Sequence, residues 1–180
     1  MNATIRKAVA GDRAQVRALY KLVATIPDGI ARTPDEVTDD YVAGFMQRAA
    51  VDGVELVCEE GGRIVGEIHA SCPGIAALSH LLTDLTVAVA PAAQGRGVGR
   101  ALFEALLDEV THKLPHIHRV ELFARASNER ARGLYRSLGF VEEGRLRARV
   151  NNSLGVAEDD TLMGWLRPAH PSTTSTKDTE

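Results

Sequence analysis

Apolar residues recur along this chain in two rhythms. Short runs with every other position apolar predict strands, and longer segments with an apolar residue every third or fourth position predict helices. Thr4 to Val9 reads as a first strand. Val16, Leu19, Tyr20 and Val23 form a helical stripe, with Asp12 as its cap and Gln15 completing a capping box. The cluster Ile26-Pro27-Asp28-Gly29 ends that helix. A second helix is predicted from Thr33, with Pro34 in its first position and Glu36 reaching back, through Val37, Tyr41, Phe45 and Met46 to Ala50. Val54 to Glu59 and Arg63 to Ser71 read as strands joined by a Gly61-Gly62 hairpin turn. After a loop from Cys72 to Ser79, a strand containing Asp84 to Val89 leads through glycines into a helix with Val98, Leu102, Leu106 and Val110 on one stripe. Arg119 to Ala124 is the next strand. Ser127-Asn128 then caps a helix bearing Ala131, Leu134, Tyr135 and Leu138, which stops at Gly139. Two last strands, Phe140 to Val150 and Asp160 to Leu166, enclose a turn. The order β-α-α-β-β-β-α-β-α-β-β describes a mixed α/β domain with a partly antiparallel sheet.

Composition narrows the setting. With 180 residues, 44% hydrophobic and 25% charged, one soluble domain is expected over residues 1–167, with a polar, disordered tail over 168–180. The net charge of −3 does not mark a nucleic-acid binder. No apolar run is long enough for a membrane span, and the start of the chain lacks the pattern of a secretory signal, so a cytoplasmic location is expected. Cys58 and Cys72 lie in apolar, strand-like surroundings and read as buried free thiols. The six histidines show no metal-ligand spacing, and no metal is expected.

Chemistry concentrates in Leu85 to Leu106, where a strand passes through Gln94-Gly95-Arg96-Gly97-Val98-Gly99-Arg100 into a helix. The first turn of a helix offers unpaired N–H groups and partial positive charge, and glycine lets an anion come close to the backbone. Arg96 and Arg100 add full charges, so a phosphorylated ligand is expected here. A dinucleotide fingerprint would need glycine where Arg100 stands, and the Walker pattern is absent.

The segment Val87 to Leu102 resembles the coenzyme A binding segment of the GCN5-related N-acetyltransferase (GNAT) family. Asn128 to Phe140, N-E-R-A-R-G-L-Y-R-S-L-G-F, is similar to that family's Asn…Ala…Leu-Tyr-x-x-x-Gly-Phe signature at the same offset, and the resemblance extends over residues 3–166. It implies an acyl-coenzyme A N-acyltransferase fold, a twisted, mostly antiparallel sheet of about seven strands flanked by four helices. It also implies acetyl-coenzyme A as cosubstrate. The backbone of Val87, Ala88 and Val89 would pair with the pantetheine arm. The loop from Gln94 through Gly95, Arg96, Gly97, Val98 and Gly99 to Arg100 would hold the pyrophosphate. Asn128 would touch the arm, and Tyr135 would protonate the departing thiolate after direct attack of an amine through a tetrahedral intermediate.

For the general base, Asp84 is the leading candidate, with Glu67 and His69, on one face of the preceding strand, as alternatives. The ribosomal-protein branch of the family uses a Glu five residues before the Asn, where this chain has Phe123. Arg145, Arg147 and Arg149 alternate along one strand and read as a solvated face, the alternative being an anion site for the acceptor. The acceptor is expected to be a small-molecule primary amine such as an amino acid or polyamine. It would enter between Ile26 to Thr33 and Asn151 to Asp159, where acidic residues including Asp28, Glu158 and Asp160 suit a cation. The rival readings are an acetyltransferase acting on a protein or peptide amine and a non-catalytic acyl-coenzyme A sensor. A homodimer is the assembly common among relatives.

Overall fold

The computed structural model describes residues 3–168, so the tail expected over 168–180 lies, beyond Pro168, outside the described residues. The chain runs β1 (Thr4–Lys7), α1 (Arg13–Ala24), α2 (Asp39–Asp52), β2 (Gly53–Glu60), β3 (Arg63–Ser71), β4 (Leu81–Val89), α3 (Val98–Lys113), β5 (Arg119–Arg125), α4 (Glu129–Ser137), β6 (Val141–Asn151) and β7 (Ala157–Leu166). The strands form one seven-stranded sheet in the order β1-β2-β3-β4-β5-β7-β6. Every pairing is antiparallel except β4 with β5. That parallel pair holds only at Leu81 with Arg119 and Leu82 with Val120, after which the strands diverge. Beyond that point β4 remains paired with β3, from Ser71 opposite Thr83 to Gly66 opposite Val89, and its other edge faces a cleft in the sheet.

Strand alternation divides the apolar residues between two cores. On one face α3 buries Val98, Leu102, Phe103, Leu106 and Val110 against Leu56, Ile68, Leu82, Val120 and Leu122. Each such side chain contributes roughly 1.5–3 kcal/mol of burial. Gly66 permits the contact, because a Cβ there would lie 2.8 Å from Val98 Cγ1 and 2.9 Å from Leu102 Cδ1. On the other face α1 and α2 bury Val16, Leu19, Tyr20, Val42 and Phe45 against Val57, Ile64 and Ala88.

Three local expectations are corrected. Asp12 makes no cap bond to α1. Its carboxylate takes two hydrogen bonds from Arg6, at 2.7 and 2.9 Å, and one from the Val9 N–H at 2.9 Å, because a buried carboxylate gains more from a guanidinium than from one amide. Gln15 instead accepts the Ile64 N–H at 3.1 Å. The second helix begins at Asp39 rather than Thr33. Glu36 does take the Thr33 N–H at 2.7 Å, but this closes a single turn, fully buried Val37 follows, and Thr38 caps α2 by accepting the Tyr41 N–H at 3.1 Å. The arginines of β6 do not share one face. A register shift between Leu146 and Val150, with Ala148 at φ 50°, rotates Arg149 out of step with Arg145. The Asp159 carboxylate holds this bulge by accepting from the Ala148 N–H at 2.8 Å and from Arg145 at 2.6 Å.

Candidate active site

The cleft between β4 and β5 opens into two cavities. One, of about 570 Å³, is walled by Val87 and Val89 of β4, by Gln94, Gly95, Gly97, Gly99 and Arg100 of the glycine loop, and by Asn128 and Tyr135. Gly95 at φ 74° and Gly97 at φ 84° adopt the left-handed region that glycine allows, and Gly97 is the residue from which α3 departs. The Gln94 amide donates to the Val89 carbonyl at 3.2 Å and folds the loop back on the strand end. Arg100 stays on the wall, its guanidinium donating to Ser137 Oγ at 2.7 Å. Arg96 turns away and pairs with Glu60 at 2.7 Å in the β2–β3 hairpin, outside this wall. Val87 and Val89 line the cavity, whereas Ala88 between them is buried toward α1 and α2 and is not part of its wall. Arg130 also lines the cavity and was not foreseen, since nothing in its neighbours marks it.

The second cavity, of about 490 Å³, lies between α2, β3, β4 and the bulged end of β6. Its wall includes His69, Asp84, Phe123, Arg149 and the α2 residues Tyr41 and Arg48. Asp28, Gly29, Val87, Asn128, Ala131 and Tyr135 line both cavities, so the two spaces meet along these residues, Tyr135 among them. Tyr135 packs against Phe103, ring centroids 5.0 Å apart, and burial pushes its phenol up to about 12. The hydroxyl makes no protein hydrogen bond among the described residues and remains a protonated donor at neutral pH. Asn128 caps α4, its Oδ1 accepting the Ala131 N–H at 3.0 Å, which leaves its amide NH₂ for other partners. Asp84 is exposed on the wall at φ 54°, where β4 bulges opposite β3.

Beneath the second cavity lies a polar cluster that the residue pattern only half disclosed. Glu67 and His69 share a face, as alternation requires, and both are buried. Tyr20, which reads as plain core from its helical stripe, donates its hydroxyl to Glu67 Oε2 at 2.6 Å. His69 Nδ1 lies 3.1 Å from Glu67 Oε1. The imidazole stacks on Phe45 with centroids 4.0 Å apart and rings 7° from parallel. Glu55 stands opposite His69 on β2 with an unpartnered buried Oε1, and burial followed by the Glu67 charge pushes its carboxyl up to about 8.

Two loops close the roof. The Ser153 N–H donates to Asp28 Oδ1 at 2.9 Å, joining the α1–α2 connection to the β6–β7 turn. Arg125 lies beneath, 2.7 Å from Glu158 and 3.7 Å from Asp28. Of the acidic residues expected to greet a cation, Asp28 and Glu158 are therefore committed. Asp160 is held by Arg149 at 2.8 Å and Asp159 by Arg145. Arg149 also covers the Phe123 ring at 4.0 Å.

A family model described as the acetyltransferase (GNAT) domain matches residues 52–142, about half the chain, from the end of α2 to the start of β6. The chain belongs to the GNAT acetyltransferase family. The match takes in β4, the glycine loop, α3 and Tyr135. Among curated relatives, a mycothiol acetyltransferase of Renibacterium salmoninarum is 37% identical over 93 residues, covering 49% of this chain and 26% of that protein. A spermidine N(1)-acetyltransferase of Vibrio cholerae is 34% identical over 67 residues, covering 37% of this chain and 38% of that one. The chain thus spans under two fifths of the length of these curated relatives. A phosphinothricin acetyltransferase from Sinorhizobium meliloti, solved in complex with acetyl-coenzyme A, superposes with a TM-score of 0.79 at 26% identity, covering 100% of this chain and 95% of that one. Among the described residues no helix is long and apolar enough to cross a membrane.

Proposed function

We propose that this protein transfers the acetyl group of acetyl-coenzyme A to the primary amine of a small molecule. The observation that carries the reading is the junction of the two cavities at Tyr135, one backed by the glycine loop and the other by polar side chains. The residues present fit the cosubstrate. The unpaired edge of β4 at Val87 to Val89 suits an extended amide-bearing arm, and the amides from Gly95 to Arg100 at the start of α3 suit a pyrophosphate. The Asn128 amide faces the same passage. Acetyl-coenzyme A supplies the activated thioester. The chain orients it and offers the Tyr135 proton to the leaving sulfur.

The charge pattern narrows the acceptor. Asp28, Glu158, Asp159 and Asp160 are spent on internal partners. Arg32 lies over the Tyr41 ring at 4.0 Å, and neither it nor Arg48 has a carboxylate partner among the described residues, although both line the acceptor cavity. Asp84 is the one wall carboxylate without a hydrogen-bond or ion-pair partner among the described residues. Two uncommitted cations and one uncommitted anion suit an amine that also carries an acid group, as an amino acid does, better than a polyamine.

A coupled thiol-release assay with acetyl-coenzyme A tests both levels, run over amino acids, their carboxamides, polyamines, aminoglycosides and short peptides. Turnover with free amino acids that falls on amidation is expected. Turnover with polyamines alone would refute the acceptor reading. Tight acetyl-coenzyme A binding with no transfer to any amine would leave a sensor module.

A further inference from the structure

We infer that His69 is the proton acceptor of the reaction, positioned by a buried Glu67–Tyr20 pair, with Asp84 serving as counter-charge to the incoming ammonium. This rests on the acetyl-transfer reading and deepens it. His69 is 4% exposed and Glu67 is fully buried, yet His69 forms part of the acceptor cavity wall. The Tyr20 hydroxyl hydrogen is committed to Glu67 Oε2 at 2.6 Å. The atoms within reach of His69 Nδ1 are then all acceptors: Glu67 Oε1 at 3.1 Å, Glu67 Oε2 at 3.4 Å and Tyr20 Oη at 3.2 Å. Nδ1 therefore carries the hydrogen, and Nε2 bears a lone pair. Nε2 makes no protein hydrogen bond among the described residues and is not among the sealed, unpartnered polar atoms, which include only Glu55 Oε1. It is open to the cavity. Stacking on Phe45 fixes the ring plane.

The groups around the imidazole agree with this role. Tyr20, from α1, is held protonated by burial and by Glu67. Glu55, opposite on β2, makes no hydrogen bond to the ring, and burial followed by the Glu67 charge pushes its carboxyl up to about 8. From α2 come Phe45, Tyr41 and Arg48, and from β4 Thr86, its register partner, and Asp84 on the rim. Glu67 is thus the one buried anion in hydrogen-bond contact with the ring, and it stabilises the imidazolium that proton uptake creates. Asp84 is exposed on the rim with no hydrogen bond to orient its carboxylate, whereas Glu67 and Phe45 fix the His69 ring with Nε2 toward the cavity.

The step balances as follows. The ammonium first gives one proton to His69 Nε2, which releases it to solvent; the neutral amine nitrogen then bonds to the acetyl carbonyl carbon, and the second proton that nitrogen loses passes to His69 Nε2. The carbon–sulfur bond breaks, the thiolate takes the Tyr135 hydroxyl proton, and both side chains return to their starting states by exchange with solvent.

The test is the pH dependence of kcat at saturating acetyl-coenzyme A and acceptor, which reports groups in the bound complex. Wild type is expected to lose kcat on acidification through one ionisation. His69→Gln should lower kcat by about 100-fold and abolish that limb, with acetyl-coenzyme A affinity retained. Glu67→Gln should move the limb to lower pH, because removing the carboxylate weakens the imidazolium. This arm stands even where His69→Gln fails to fold. An unchanged limb in Glu67→Gln, or a limb that disappears in Asp84→Asn instead, overturns the assignment while leaving acetyl transfer intact. A wild type that acetylates no amine overturns both.

Discussion

Glu55 offers the sharpest physical test of how this interior is built. Its carboxyl sits across from His69 with one oxygen sealed from solvent and unpartnered, and burial raises it from 4.5 to about 8. The unfolded chain ionises this group near 4.5 and the folded chain does not until about pH 8, so the folded state holds the extra proton between those values. The group's favourable contribution is complete below pH 4.5 and is lost as pH rises through about 8. A shift of this size sets a ceiling of roughly 3–4 kcal/mol lost between pH 5 and pH 8. Residual exposure and screening reduce that to about 2 kcal/mol. Glu55→Gln keeps the shape and removes the ionisation. In urea denaturation followed by circular dichroism, the variant's advantage over wild type should grow from pH 5 to pH 8 by about 1 M in midpoint. Parallel pH profiles for the two proteins would refute the account, since the other titrating groups are common to both.

Tyr135→Phe should lower kcat by about 100-fold with little change in acetyl-coenzyme A affinity, measured by steady-state kinetics and calorimetry. Gly97→Glu forces a side chain into φ 84° and places a carboxylate where a pyrophosphate would lie, so calorimetry should detect no acetyl-coenzyme A binding. Arg48→Ala should raise KM for an acid-bearing acceptor by about 10-fold and leave KM for acetyl-coenzyme A unchanged. Asp28→Ala removes the acceptor of the Ser153 N–H, and hydrogen exchange at that amide should accelerate while amides of α3 hold their protection.

Element order, the hairpin at Gly61-Gly62, the N-cap at Asn128 and the stop at Gly139 (φ 92°) follow from local chemistry, and local chemistry is visible in a sequence. Where long-range partners compete, that reading fails. Asp12 has the composition of a cap, but Arg6 and Val9 claim its oxygens. Arg149 has the alternation of a solvated face, but a bulge held by Asp159 redirects it. Arg96 has the position of a phosphate ligand, yet it pairs with Glu60, 36 residues away, and is not part of the cavity wall. The His69 cluster needs members from α1, α2, β2 and β3 at once. Odd-numbered alternation pairs Glu67 with His69, but no spacing rule connects them to Tyr20.

The divergence of β4 from β5 leaves the middle of the sheet short of a strand. From Thr83 to Val89 an interior strand presents one backbone edge to open space, a condition usually confined to the margins of a sheet. Any molecule that lies along that edge completes the sheet as well as occupying a site, and binding becomes a late step of folding. By mass action, such a molecule at a hundred times its dissociation constant adds about 2.7 kcal/mol to stability. That is a substantial fraction of what holds an ordinary domain together. The survival of the protein against unfolding and proteolysis is thereby tied to the supply of the molecule it uses.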